Sequence, residues 1–285
     1  CQEKDSCLEL SFQLSLIHYH QKSIDKAIQT LGAIKEEDRD ERIYRHLALF
    51  YKEDHQWDKA IHSLETASIK LYLEPNTEYE LAELYLLAGY YTKAAEALNG
   101  LLPKWKENPW RLHYQIGYAY LELNDLEKAK KSFELSLKSK SNVAAQGLLA
   151  FVLNRQGNVK EARVLWEKNL KSDPSNPTIW INMGLSLEKD GDYNGALEHY
   201  KKAAMLKSND KELQINIGNA YAGLEQYTDA LNAYNQALSS GKRDLAAYNI
   251  FLIARKKKDR QKAEQMSKLL QQEFAQSSYA KRVGG

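Results

Sequence analysis

The stretch WDKAI at residues 57–61 recurs along the whole chain as a short phrase with alanine at its fourth position. The other copies are IDKAI at 24–28, YTKAA at 91–95, LEKAK at 126–130, VKEAR at 159–163, YNGAL at 193–197, YTDAL at 227–231 and RQKAE at 260–264. Their alanines lie 33 to 35 residues apart. Self-similarity at such a period is the signature of stacked repeats, each burying its apolar face against its neighbours. The chain is therefore predicted to work by presenting an extended binding surface.

Bulk composition excludes several classes of protein. The 285 residues include 40 Lys and Arg and 38 Asp and Glu, and positive and negative residues are interspersed along the chain. Nucleic acid is therefore not a predicted partner. No apolar run approaches the roughly 20 residues that span a bilayer. Two cysteines do not form a disulfide scaffold, so the core must come from packing.

Residues 177–208 show the repeating unit most clearly. A first run carries apolar or small residues at helical spacing, namely Trp180, Met183, Gly184 and Leu187. Gly191 interrupts this run. A second run follows with Ala196, Tyr200 and Ala203. This pattern predicts two amphipathic helices joined by a tight turn. Gly184 and its equivalent Gly218 are unfavourable inside a helix, which predicts close helix–helix approach at these positions.

These residues resemble the tetratricopeptide repeat (TPR). The resemblance implies an all-α fold, a right-handed α-solenoid of about eight helix-turn-helix units. We predict a tether at 1–7, an array at 8–275 and a polar tail, frayed in water, at 276–285. The predicted units are 8–40, 41–74, 75–109, 110–142, 143–176, 177–210, 211–243 and 244–275. Gly89, Gly157, Gly191 and Asn124 fall at the turn inside their units, where a left-handed residue is often needed.

The family resemblance also implies where a partner binds, because the first helix of each unit lines the concave face. One stripe of these helices is unusually apolar and aromatic, which is typical of interaction sites. The predicted partner-binding residues are Arg45, Leu49, Tyr79, Glu83, Tyr114, Tyr118, Phe151, Ile181, Leu185, Ile215, Asn219 and Tyr248. Two alternatives stay open: the stripe packs inside the molecule, or the chain's own ends fill the groove.

The residue numbered 1 is a cysteine, which is the first residue of a mature, acylated bacterial lipoprotein. We therefore expect lipidation (palmitate) at Cys1 after signal cleavage, and an outer-membrane lipoprotein that faces the periplasm. If Cys1 is not acylated, a bridge between Cys1 and Cys7 is conceivable in an oxidising compartment. The plan is similar to that of pilotin-type lipoproteins, so the expected partner is a secretin, pilus or cell-wall assembly component.

No catalytic residues, metal site or cofactor are predicted. His18 and His20 form an HxH pair, but residues two apart on a helix point in nearly opposite directions. The run from Arg255 to Arg260 is the one concentrated basic segment; it is either a solvated loop or a contact for anionic lipid or an acidic partner. The main hypothesis is a non-catalytic scaffold protein. The alternatives are a carrier of a small apolar ligand or glycan, and a cytoplasmic TPR adaptor.

Overall fold

The computed structural model describes residues 4–206, 211–238 and 243–283. Within these ranges the chain forms seventeen α-helices and no strand. The predicted all-α architecture of helix-turn-helix units is confirmed.

The helices occur as eight consecutive pairs followed by one short helix. Their bounds are α1 Lys4–His20, α2 Ile24–Gly32, α3 Glu41–Glu53, α4 Trp57–Lys70, α5 Pro75–Leu87, α6 Tyr91–Leu101, α7 Trp110–Glu122, α8 Leu126–Ser139, α9 Val143–Arg155, α10 Val159–Ser172, α11 Pro177–Lys189, α12 Tyr193–Leu206, α13 Lys211–Gly223, α14 Tyr227–Leu238, α15 Arg243–Lys256, α16 Arg260–Glu273 and α17 Ser278–Val283. Each predicted unit corresponds to one odd-numbered helix and the even-numbered helix that follows it, but α1 and α15 begin before the predicted bounds of their units, 8–40 and 244–275.

The turn inside each pair is built on one residue with positive φ. Gly89, Gly157 and Gly191 occupy three of these turns, at φ values of 80°, 89° and 82°. Asn124 occupies the fourth predicted one, at 61°. The other four turns use residues that the sequence pattern does not single out, namely Lys22, His55, Glu225 and Lys258. A non-glycine residue pays a steric penalty in this conformation, and asparagine tolerates it better than most. The tight connection therefore outweighs local preference at the turns of Lys22, His55, Glu225 and Lys258.

Glycine inside a helix lets an aromatic ring of the paired helix approach the backbone. A Cβ atom at Gly117 of α7 would lie 2.7 Å from the Phe133 ring of α8. Cβ atoms at Gly184 and Gly218 would likewise overlap the rings of Tyr200 and Tyr234. The close approach predicted at Gly184 and Gly218 is therefore present.

The chain divides into two compact units, residues 1–152 and 153–285, where the sequence pattern predicts one continuous array. In each unit the repeated alanines of the even-numbered helices are fully buried, as Ala60 and Ala230 illustrate at 0% exposure, except Ala263 of α16, which is half-buried. In the N-terminal unit α4 packs on α5 and α6 packs on α7, and in the C-terminal unit α12 packs on α13 and α14 on α15. Each of these four pairs thus completes its core with the first helix of the next pair.

The two ends of the array differ from the prediction. α1 begins at Lys4, so residues 4–7 of the predicted tether are helical. The prediction of a frayed tail is wrong for residues 278–283, which form α17. Ala280 of α17 is 5% exposed and belongs to the core cluster of α15 and α16. α17 packs on both helices of the last pair and covers part of its apolar side.

Cys7 lies in α1 and is disulfide-bonded in the structure. Cys1, the predicted lipidation site, lies outside the described residues. None of the helices in the described ranges is long and apolar enough to cross a membrane.

Candidate partner-binding surface

Three of the predicted partner-binding residues meet at one cavity in the N-terminal unit. Arg45 and Leu49 of α3 and Glu83 of α5 line a space of about 340 Å³, together with Lys52 and Glu80. Its apolar wall is formed by Ala48, Leu64 and Leu84. The cavity therefore has an aliphatic wall and a charged rim.

The rim is partly neutralised within the repeat stack. Arg45 donates from Nε to Glu80 Oε2 at 2.9 Å and from Nη2 to Glu80 Oε1. Within the described ranges no carboxylate lies within ion-pairing distance of Lys52. Glu83 Oε1 accepts a hydrogen bond from Gln115 Nε2 of α7 at 2.9 Å. Lys52 is thus a cation of the rim that no carboxylate of the described residues neutralises, and it can form an ion pair with a ligand.

Tyrosines continue this surface along the N-terminal unit. The ring centroid of Tyr79 in α5 lies 5.3 Å from that of Trp105. The ring centroid of Tyr118 in α7 lies 6.3 Å from that of Tyr91, in an edge-on arrangement. Tyr114, one turn before Tyr118, lies 6.1 Å from Phe133. All three tyrosines are half-buried, and burial raises the pKa of each phenol, with Glu83 adding to the effect at Tyr79. They present neutral hydroxyl groups on partly accessible rings.

Phe151 of α9 is half-buried in the structure, as is Leu49. The predicted stripe in the N-terminal unit is therefore intermediate between core and surface throughout, apart from the exposed Arg45. Half-buried aromatic and aliphatic side chains are held by the fold yet keep a face for a partner.

In the C-terminal unit the predicted stripe is mostly used by the protein itself. The prediction that Ile215 contacts a partner is wrong, since Ile215 is 4% exposed and packs with Tyr234 and Ala246 in the core. Ile181 packs partly into the core cluster of α12 and α13. Leu185, at 43% exposure, is the accessible apolar member.

Tyr248 is covered by α17. Its ring lies 5.1 Å from that of Tyr279, and the Arg282 guanidinium lies 6.0 Å from the Tyr248 ring centroid. A later segment of the chain therefore packs against this residue of the predicted stripe.

Asn219 belongs to a hydrogen-bond network that joins five consecutive helices. Its Oδ1 accepts from Tyr234 Oη at 2.8 Å and from Asn249 Nδ2 at 3.2 Å. Its side chain also bonds to Glu188, whose Oε2 accepts from Tyr200 Oη at 2.7 Å. The network ties α11, α12, α13, α14 and α15 together. Asn219 therefore has a structural role that accounts for its position.

Glu188 is expected to make stability depend on pH. Burial raises the pKa of its carboxyl above the ordinary value of 4.5, although hydrogen bonds from Tyr200 and Asn219 oppose this. The folded protein then holds this proton more tightly than the unfolded chain does, so the free energy of unfolding falls as pH rises from 4.5 through the raised pKa.

Glu188→Gln should remove that component and flatten the dependence, measured by urea unfolding from about pH 4.5 to 7.5. The matched control is Glu198→Gln, at an exposed position of α12. A slope identical in wild type and Glu188→Gln would contradict the role assigned to the buried carboxyl.

Some residues of the surface were not predicted as binding residues. Glu80 is the ion-pair partner of Arg45 and lies 35 positions later, and His46 lines the same cavity. The sequence signal that could have identified Glu80 is its negative charge about one repeat after the positive charge of Arg45. Within the described residues no group of three His, Cys, Asp or Glu side chains could hold a metal ion.

Comparison with known protein families identifies the repeats. Three family models, each described as tetratricopeptide repeat, match residues 47–109, 111–142 and 187–252. Together they cover more than half of the chain. This protein belongs to the tetratricopeptide-repeat family. The fold of this family supports a protein–protein interaction scaffold, and its members are typically non-catalytic.

One relative of this TPR protein is a member of a multiprotein complex. A BBSome complex member, the BBS4 homologue of Drosophila melanogaster, is 25% identical over 248 residues, which cover 81% of this chain and 51% of the relative. The chain thus spans about half the length of that protein.

Two solved structures share the TPR fold. PilW, a widely conserved type IV pilus biogenesis factor, aligns with a TM-score of 0.65 at 20% identity, covering 74% of this chain and 98% of PilW. PilF of Pseudomonas aeruginosa aligns with a TM-score of 0.62 at 17% identity, covering 74% of this chain and 96% of PilF. At these identities the similarity shows the fold alone.

Proposed function

We propose that this protein is a scaffold of the bacterial envelope that holds a segment of another protein on its N-terminal unit and assists assembly of a multiprotein complex. The observation that carries the proposal is the cavity of about 340 Å³ between α3, α4 and α5, flanked by half-buried tyrosines. The similarity to PilW and PilF supports the choice of an envelope assembly such as a pilus. A secretin as the partner stays a prediction of the sequence.

The lining of the cavity favours a peptide segment over a small apolar ligand. Glu80, Glu83, Arg45 and Lys52 bring four charged groups to a space of this size. An apolar ligand would exclude water from these charged groups and would offer no hydrogen-bond partner to Lys52. A peptide can place an aliphatic side chain against Leu64 and Leu84 while its backbone and polar groups face the charged rim.

Site-specific crosslinking in cells tests this proposal. A photoreactive phenylalanine derivative at position 52 should yield a discrete adduct with a partner, and one at the exposed position 134 on α8 should not. Tyr118→Ala should weaken the adduct at position 52, because loss of an interface tyrosine lowers affinity by about 2 kcal/mol, or roughly 30-fold. Circular dichroism checks that the variant remains helical.

Equal crosslinking from positions 52 and 134, or an adduct unaffected by Tyr118→Ala, would overturn this assignment of the binding surface. Equal yields would mean random collisions instead of a docked partner.

Membrane attachment through a lipid on Cys1 stays a prediction of the sequence, and it excludes an intrachain disulfide of Cys7, because the chain has two cysteines. Intact mass spectrometry of the native protein distinguishes the two states. A lipidated chain shows an acyl mass increment and a Cys7 thiol that reacts with alkylating reagents. A disulfide-bonded chain shows neither.

A further inference from the structure

Positive charge is concentrated at the C-terminal end of this protein. Residues 243–283 carry ten Lys and Arg against four Asp and Glu, whereas the whole chain has a net charge of +2. The preceding part of the chain is therefore net negative. Such asymmetry raises the local potential and attracts partners of opposite charge.

The cations surround a cavity of about 570 Å³ formed by α15, α16 and α17. Arg255 lies in the last turn of α15, Lys258 occupies the turn between the helices and Arg260 begins α16. The apolar side of the cavity includes Phe251 and Val283. Lys258 has a φ of 59°, the left-handed conformation of the repeat turn, so the backbone that carries the cations has a defined shape.

Acidic residues in the cavity are already engaged. Asp259 caps α16, accepting a hydrogen bond from the Lys262 backbone N–H at 3.0 Å. Glu264 forms an ion pair with Lys268 at 2.7 Å. Both carboxylates therefore have partners outside the set of cavity cations.

The three cavity cations have no such partner. In the ranges that the structure describes, no carboxylate lies within ion-pairing distance of Arg255, Lys258 or Arg260. The Arg255 guanidinium lies 5.8 Å from the Phe251 ring centroid. All three side chains are exposed. Three like charges beside an apolar wall form a surface that carboxylates complement.

We propose that this cavity binds an acidic segment of a partner protein, with its carboxylates on Arg255, Lys258 and Arg260 and an apolar side chain against Phe251. The concave shape and the apolar wall favour a peptide over a lipid surface, which is flat on this scale and meets charges without filling a cavity. This second surface is independent of the α3–α5 cavity, and it lies wholly in the C-terminal unit.

A synthetic peptide is the probe. A fluorescent 12-residue peptide of Asp and Glu around a central Leu-Phe pair should bind the full chain at low salt, measured by fluorescence anisotropy. Replacing Leu-Phe with Gly-Gly should weaken binding at least threefold. Raising the salt concentration should weaken binding of both peptides, because exposed ion pairs are screened.

Charge reversal locates the site. The variant Arg255→Glu, Lys258→Glu, Arg260→Glu should weaken peptide binding at least tenfold. The control variant makes the same change in net charge at exposed positions elsewhere, with Lys131→Glu, Lys138→Glu and Lys168→Glu. It should weaken binding less than threefold. If the triple reversal fails to fold by circular dichroism, the milder Lys258→Gln, Arg260→Gln pair replaces it, with an expected loss of at least threefold.

Equal weakening by the two triple variants would overturn the proposal, because it would show attraction to net charge alone. So would equal binding of the Leu-Phe and Gly-Gly peptides. Vesicles of phosphatidylglycerol and phosphatidylcholine are the competing ligand. If they bind in a manner that depends on Arg255, Lys258 and Arg260 while the peptide does not bind, the surface is a membrane contact and the proposal is wrong.

Discussion

Replacing Phe133 with alanine is expected to lower the free energy of unfolding of the N-terminal unit by about 3–5 kcal/mol. Phe133 of α8 is 0% exposed, and its ring fills the space over Gly117 and beneath Tyr114. Truncation leaves a cavity that stacked helices close only in part. Urea unfolding followed by circular dichroism and by tyrosine fluorescence measures the loss.

A double-mutant cycle makes this prediction specific. Gly117→Ala alone should destabilise by about 1–3 kcal/mol, because its methyl group overlaps the Phe133 ring. In the Phe133→Ala background the same methyl group occupies vacated space. The two substitutions should therefore be non-additive, with the double variant no less stable than Phe133→Ala.

The control is Gly100→Ala in α6, where a Cβ atom meets nothing within 4 Å. This change should raise stability by about 0.5–1 kcal/mol, because alanine restricts the unfolded chain and favours helix. Additive effects of Gly117→Ala and Phe133→Ala would show that glycine at 117 does not serve ring packing.

Asn219→Ala is expected to destabilise the C-terminal unit by about 2–3 kcal/mol. The side chain accepts from Tyr234 and Asn249 and bonds to Glu188, so its removal leaves polar groups between helices without their partners. Glu188 keeps its hydrogen bond from Tyr200, but the pKa of its carboxyl should rise further because a stabilising contact is lost. Thermal and urea unfolding at pH 7 measure the change.

Asn235→Ala is the matched control, since Asn235 is exposed on α14. Its effect should stay within about 0.5 kcal/mol. If Asn219→Ala were as mild as Asn235→Ala, the network would not stabilise the repeats. Asn219 would then return to the set of residues free to contact a partner.

Much of the repeat architecture follows from the sequence because it depends on local, periodic constraints. The alanine period locates the second helix of every pair, and the predicted close approach at Gly184 and Gly218 is found against Tyr200 and Tyr234. Left-handed turns at Gly89 and Asn124 are also as predicted. Each of these features is decided within one unit of about 34 residues, where the relevant side chains are close along the chain.

The burial of residues in the predicted stripe does not follow from the sequence. Helical spacing gives the direction of a side chain, but it does not show which other part of the protein packs against that side chain. Ile215 and Leu185 both belong to the predicted stripe, yet Ile215 is 4% exposed and Leu185 is 43% exposed. Tyr248 is covered by α17, and the polar composition of residues 278–283 does not predict this helix. The sequence pattern therefore overestimates the free part of the stripe in the C-terminal unit.

By itself, the sequence determined the period, the helix pairs, the turns and the all-α fold, because backbone geometry and apolar spacing act over one or two helical turns. Tertiary structure decided which residues of the predicted stripe remain accessible. It joined Arg45 to Glu80, 35 positions apart, and Asn219 to Asn249, 30 positions apart. Such contacts depend on the stacking of successive repeats, where a small shift in helix packing changes which side chains meet.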